Sequence, residues 1–281
     1  MPGKITLDRL VKLIEDKQLD PRQVKDLIDE IKYPGIRSQG APVDLSLLVK
    51  KGKVRVGVVG DTQLNSVGSR LDYLHTLYQL FKEEGAQAVL HPGDFTDGHR
   101  RYEGHVSEVR YHSYEDIVKF IVEEYPTRGV PTYFIGGNDD RTYLTSLKRD
   151  ICADVAERRT DLHYLGMNHA RVRFDNVIVE LNHPRNLNRG AYTISYPLQK
   201  LIECYKGGWK PNILLVGGYH AFYNLERRGI EAFLVGSTAD PTATMMTKRH
   251  SSDCGGLILE INVNKEGCLS DLQWDIIPFY R

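Results

Sequence analysis

Five apolar runs in this chain each end in a residue able to bind a cation or move a proton. VRVGVVG leads to Asp61, AVLHPG to Asp94, TYFIGG to Asn138, VIVEL to Asn182 and His183, and ILLVGGY to His220. Carboxylate oxygens, an amide oxygen and imidazoles together suit manganese, zinc, iron or magnesium. Each residue alone has an ordinary structural use: an aspartate after glycine caps a helix, an asparagine makes a turn, and a histidine satisfies a core hydrogen bond. As a group they are harder to explain that way. Aspartates brought close repel and raise one another's pKa, and a shared cation is the usual resolution. Asn138 is followed by two adjacent carboxylates, Asp139 and Asp140, at the mouth of an apolar run, where unpaired charge is costly.

The elements that must position these residues follow from periodicity. From residue 53 the chain alternates strand and helix: VRVGVVG, a helix with Leu71, Leu74, Tyr78 and Phe81 on one stripe, AVLH, a helix carrying Tyr114, Ile117, Val118 and Ile121, then TYFI. Beyond residue 160 strands dominate. ARVRF and VIVEL flank an Asp175-Asn176 turn, ILLVG, EAFLVG, LILEINV and LQWDIIPFY follow, and one helix falls near 197 to 206. The expected fold is α/β, two packed β-sheets flanked by helices in four αββα layers. In layered α/β proteins ligands bind beyond the carboxyl ends of strands, where residues remote in sequence meet.

Residues 1 to about 35 show two short amphipathic patterns, Leu7, Leu10, Val11 and Ile14, then Val24, Leu27, Ile28 and Ile31, with Asp20, Pro21 and Gln23 as a helix start between them. The expected division is therefore 1–45, a small N-terminal helical segment and linker, and 46–281, the main domain. Packing on a neighbour is the commoner role for such a pair, and a DNA-reading role is the minor alternative. Lys plus Arg and Asp plus Glu both number 37, so no global attraction to nucleic acid or anionic lipid is encoded. Four widely spaced cysteines without CxxC spacing read as reduced thiols, not a zinc or disulfide framework. No apolar run approaches the roughly 20 residues of a membrane span, and MPGKITLDRL lacks the apolar stretch of a signal peptide, so the expected location is the cytoplasm, away from membranes.

Taken in order, the strand-end motifs resemble those of the calcineurin-like metallophosphoesterase family, above all its phage and archaeal members, over residues 53 to 281. The family writes D-x-H, G-D-x-x-D, G-N-H-D, a lone His and G-H-x-H. Here stand Asp61-Thr62-Gln63, Gly93-Asp94-Phe95-Thr96-Asp97, Gly137-Asn138-Asp139-Asp140, His183 and Gly217-Gly218-Tyr219-His220. The resemblance implies the calcineurin-like phosphoesterase fold and a dinuclear centre. One metal would take Asp61, Asp94 and His220, with Gln63 in place of a histidine. The second would share Asp94 and add Asn138 and His183, with Gly218 offering no side chain where the family has an imidazole. Asp139 replaces the family's catalytic histidine, a proton donor to the leaving oxygen, and an ionised aspartate cannot donate.

An amide oxygen is a poorer ligand than imidazole for zinc or manganese, so manganese, zinc or iron is expected at weak or partial occupancy, with no organic cofactor. His99 and Arg100, in the run HRRYEGH, and Arg185 and Arg189 beside His183 are candidate phosphate or base contacts, or else solvated loop. The family includes inactive members, among them small subunits of replicative DNA polymerases. The expected function is accordingly a catalytically impaired binding or scaffold subunit with a protein partner, in a complex where nucleic acid is a further candidate. The alternative is an active metal-dependent phosphodiesterase or nuclease using a reduced metal site.

Overall fold

The computed structural model describes residues 41–184, 193–205, 210–247 and 252–279. The N-terminal helical patterns and the arginines at 185 and 189 lie outside the described residues.

Among the described residues, twelve strands form two six-stranded sheets. In the first, β2 (Lys53–Val58), β3 (Ala88–His91), β4 (Thr132–Gly136) and β5 (Leu162–Met167) run parallel, and β11 (Gly255–Val263) and β12 (Leu269–Pro278) complete the order β12-β11-β2-β3-β4-β5 as antiparallel neighbours. The second has the order β1-β6-β7-β8-β10-β9, built from β1 (Val43–Asp44), β6 (His169–Phe174), β7 (Val177–Asn182), β8 (Ile213–Val216), β9 (Tyr223–Arg227) and β10 (Ile230–Leu234).

The strand pattern explains the layers. Val54, Val56 and Val58 alternate along β2 and meet Val172, Val179 and Leu181 of the opposing sheet in one core between the sheets. The other face of the first sheet is covered by α1 (Leu71–Glu83), α2 (Tyr114–Glu124), α3 (Arg141–Leu147) and α4 (Ile151–Glu157). On α1 the stripe Leu74, Tyr78 and Phe81 is buried, and on α2 the stripe Ile117, Val118 and Ile121. The second sheet carries α5 (Tyr196–Cys204), whose Leu198 and Ile202 pack on Leu214 and Leu234. A short α6 (Ala243–Thr247) follows β10. The result is the expected αββα arrangement.

Three strands were not legible in the sequence, the first being β1, only two residues long and paired parallel with β6. β5 holds Leu162, His163, Tyr164 and Gly166 without clean alternation and pairs with β4 parallel, so nothing local announces it. β9 is set by a turn at Arg228-Gly229, both residues with positive φ (56° and 70°), which returns the chain antiparallel onto β10. No helix among the described residues is long and apolar enough to cross a membrane.

Candidate metal centre

The sheet orders decide which strand ends meet. β2, β3 and β4 are neighbours in one sheet and β7 and β8 in the other, so the loops after them converge across the sandwich. Asp61, Asp94, His183 and His220 are 0 to 3% exposed. Asp61, Gln63, Asp94 and His220 all have left-handed backbones, with φ of 45°, 47°, 51° and 50°. Such conformations cost side-chain-bearing residues on the order of 1–3 kcal/mol each and gather at functional sites, where the surrounding structure enforces them.

Two overlapping cages result. In the first, Asp61, Asp94 and His220 each offer a ligand atom, all within 4.8 Å of one another. His220 Nε2 lies 3.2 Å from Asp61 Oδ1, yet neither ring nitrogen of this buried histidine makes a hydrogen bond. Gly218, where the resemblance implies a lost imidazole, donates its backbone N–H to both Asp61 oxygens at 3.0 and 2.8 Å. An orphaned imidazole facing two oriented carboxylates fits a divalent cation.

In the second, His183 Nε2 lies 3.2 Å from Asp94 Oδ2 and 3.1 Å from Asn138 Oδ1. His183 Nδ1 is 2.8 Å from the Pro92 carbonyl, a bond that places a proton on Nδ1 and aims Nε2 into the cage. Burial opposes charge on His183, but the Asp94 carboxylate overrides it and lifts the ring to about 10. Burial likewise works against the Asp94 charge, and His183 holds that carboxyl far below the usual range. Without a cation the two form an ion pair, whose second proton occupies the place a metal would take.

Backbone packing fixes this geometry. A Cβ on Gly137 would lie 2.2 Å from Asp94 Oδ1, and one on Gly217 would lie 2.3 Å from the Pro92 carbonyl oxygen, so only glycine lets these loops close. Behind the ligands, Asp140 accepts from Phe95 N, Thr96 N, Thr96 Oγ1 and Gly137 N at 2.7 to 2.9 Å, joining the Asp94 loop to the Asn138 loop. His91 accepts from Gly93 N–H and so faces Thr62 with its other nitrogen, and Thr62 in turn donates to the Phe95 carbonyl. Burial keeps His91 neutral, depressed to about 4 even beside Asp61.

The structure thus brings together Asp61, Gln63, Asp94, Asn138, Asp139, His183 and His220. Gln63 faces Asp94 Oδ2 through its amide nitrogen at 3.3 Å. Asp139 donates its N–H to Asp94 Oδ1, and its carboxylate lies between Asn138 Nδ2 at 2.6 Å and Arg101 Nη2 at 2.8 Å. Burial and then Asp94 push the Asp139 carboxyl well above its usual range, with Arg101 opposing. His99 and Arg100 are not part of this cluster; His99 Nδ1 pairs with Ser146 Oγ, and both residues line a neighbouring cleft.

Arg101, which sequence reasoning passed over, joins Asp139 to Asp97, and Asp97 also lies 3.2 Å from His105 Nε2. Its signal was the i,i+4 spacing of Asp97 and Arg101 within a basic run, which is common on solvated loops.

A four-layer sandwich with carboxylates and imidazoles gathered beyond its strand ends defines a metallophosphoesterase architecture. A family model described as calcineurin-like phosphoesterase matches residues 54–231, well over half of the chain, and the chain belongs to that family. Members of this family bind divalent metals. No curated protein matches the chain. Among solved structures, an archaeal phosphodiesterase is similar at 12% identity over 80% of this chain and 100% of that one, with a TM-score of 0.45. Vacuolar protein sorting 29 from Cryptosporidium parvum is similar at 11% identity over 82% and 99%, TM-score 0.41. GAP50, the anchor in the inner membrane complex of Plasmodium, is similar at 13% identity over 79% and 88%, TM-score 0.44.

Proposed function

We propose that this calcineurin-like protein keeps a cation-binding centre but is impaired as a hydrolase, and acts as a binding or scaffold subunit with a protein partner. The observation that carries this reading is Asp139. Where family members place a histidine able to protonate a leaving group, this chain has a buried carboxylate clamped between Asn138 and Arg101. Its two oxygens are engaged by Asn138 and Arg101 rather than aimed at a leaving group, and whenever the carboxyl is ionised it repels a phosphate ester.

Asp61, Asp94 and His220 would hold one cation and Asp94, Asn138 and His183 a second, with Gln63 beside the first; manganese, zinc and iron all suit these donors. Bound cations would supply Lewis acidity toward phosphoryl oxygens and a nucleophile at neutral pH. The chain's own contribution is to fix ligand direction: Pro92 and Gly218 orient His183 and Asp61, and Asp140 staples the two loops together.

A second reading, an active metal-dependent phosphodiesterase or nuclease, is favoured by the convergence of six candidate ligands despite the missing imidazoles. Metal analysis of untreated protein, beside manganese-dependent hydrolysis of an aryl phosphodiester, separates the two. The expected result is well under two metals per chain and turnover barely above buffer. Two manganese ions with robust turnover that disappears in Asp94→Ala would establish the second reading and overturn the first.

A further inference from the structure

Behind the first cage, the turn that leaves β10 links two ligands delivered by different sheets, Asp61 after β2 and His220 after β8. Ser237, in that turn, is fully buried, where a hydroxyl is costly unless bonded. It is bonded twice: Oγ donates to the Asp61 carbonyl at 2.7 Å and accepts from Ala239 N–H at 3.0 Å. The Asp61 backbone is thereby held at both polar groups, since its N–H donates to the Gly93 carbonyl at 3.1 Å. With Gly218 N–H on its carboxylate, the direction of the Asp61 side chain is set from three sides.

The same turn reaches His220 through Asp253. Ser237 N–H donates to the Asp253 carbonyl at 2.9 Å, and Asp253 N–H donates to the His220 carbonyl at 2.8 Å. The Asp253 carboxylate accepts Phe222 N–H at 2.9 Å, which ties down the chain just past His220. Packing leaves no slack here, because a Cβ on Gly236 would lie 2.5 Å from the Phe222 ring and 2.6 Å from the Asp253 carbonyl oxygen. Asp61 and His220 both have left-handed backbones (φ 45° and 50°), which surrounding contacts must enforce. The sequence Asp61, Ser237, Asp253, His220 is a continuous strap that supplies those contacts. No hydrogen bond among the described residues joins it to Asn138 or His183, the ligands that belong to the second cage alone.

We propose that Ser237 and Asp253 are positioning residues of the first cage, holding the Asp61 carboxylate and the His220 ring at the spacing one cation needs. The assignment rests on the metal-centre reading and goes beyond it, giving the geometry of one of two cation sites to residues that are not ligands.

The test is manganese titration of the full chain, with free metal read by electron paramagnetic resonance, beside amide exchange in EDTA. Loss of an outer partner of a metal ligand typically costs about 10- to 100-fold in affinity. Ser237→Ala should weaken one manganese site about tenfold and leave the other unchanged. In a His220→Ala background the same substitution should have no further effect, and in a His183→Ala background it should keep its full effect. Asp253→Asn retains an acceptor for Phe222 N–H and should bind like the parent, whereas Asp253→Ala should behave like Ser237→Ala. If Ser237→Ala does not fold by circular dichroism, that pair at position 253 carries the same comparison. In EDTA the Gly218 N–H should exchange faster in Ser237→Ala than in the parent, because its acceptor Asp61 is loosened. Equal loss at both sites would mean general destabilisation and would overturn the proposal, as would unchanged affinities together with unchanged Gly218 exchange. A parent that takes up no manganese would overturn the metal-centre reading as well, whereas normal uptake in the parent confines the failure to the strap.

Discussion

Replacing Arg101 with methionine tests the reasoning about the centre most directly. The guanidinium is 24% exposed on the side chain, while Asp97 and Asp139 are 1% and 3% exposed, so the variant takes the cation from two carboxylates that water barely reaches and leaves them only His105 and Asn138. An exposed ion pair contributes about 0–1 kcal/mol. Removing one partner of a buried pair costs about 3–5 kcal/mol. Arg101 is partly solvated, and Asp139 can take up a proton once its counter-ion is gone, so the lower end applies, about 3 kcal/mol. That is a large part of a typical total of about 5–15 kcal/mol.

The assay is urea unfolding in EDTA, read with an unchanged m-value. The pH dependence carries a further check. Asp139 is already raised, and losing Arg101 raises it more. A carboxyl raised in the fold costs stability above its unfolded pKa, in full once pH passes the folded pKa. The penalty of Arg101→Met should therefore be larger at pH 8 than at pH 5, by about 1.4 kcal/mol per unit of added shift within that window. Adding Asp139→Asn should recover part of the loss. A cost below about 1 kcal/mol, with no coupling to position 139, would mean that the pair behaves as a surface contact, and the clamp on Asp139 would be refuted.

Other expectations follow from the same geometry. Gly137→Ala places a methyl 2.2 Å from Asp94 Oδ1 and should abolish manganese uptake; retained uptake by metal analysis would show that the loop yields. Asp140→Ala leaves three buried backbone N–H groups without their acceptor, at about 1–3 kcal/mol each, so a loss above about 3 kcal/mol is expected in thermal or urea melts. In metal-free protein His183 is raised from 6.5 to about 10, so its stabilisation is full below about 6.5 and is lost as pH rises through about 10. His183→Gln should flatten that alkaline decline in EDTA, and an identical slope in the variant would assign the decline elsewhere.

Much of the architecture was legible because the apolar runs have clear periods. The stripes on α1 and α2 and the Asp175-Asn176 turn between β6 and β7 all appear where spacing placed them. β5 was not legible, because its pairing partner β4 is a parallel strand with two elements between, α3 and α4. The role of Gly218 was half legible: the missing imidazole is a fact of sequence, but its N–H holding Asp61 needs φ of 89°, which no local pattern encodes. His99 and Arg100 were legible as candidate phosphate or base contacts or as solvated loop; that they line a cleft beside the metal centre follows from the tight packing of Gly98 against the Asp139 backbone, which no local pattern encodes.

Residue types and strand-end spacing alone determined the layered fold, the family resemblance and the identities of the seven clustered side chains, since alternation and glycine turns are local properties of a chain. Tertiary structure decided how those side chains are charged and aimed. Whether His220 is orphaned, His183 bonded to Pro92 or Asp139 clamped by Arg101 depends on which loops lie across from one another. Burial and through-space charge act over a few ångströms of space, whatever the separation in sequence.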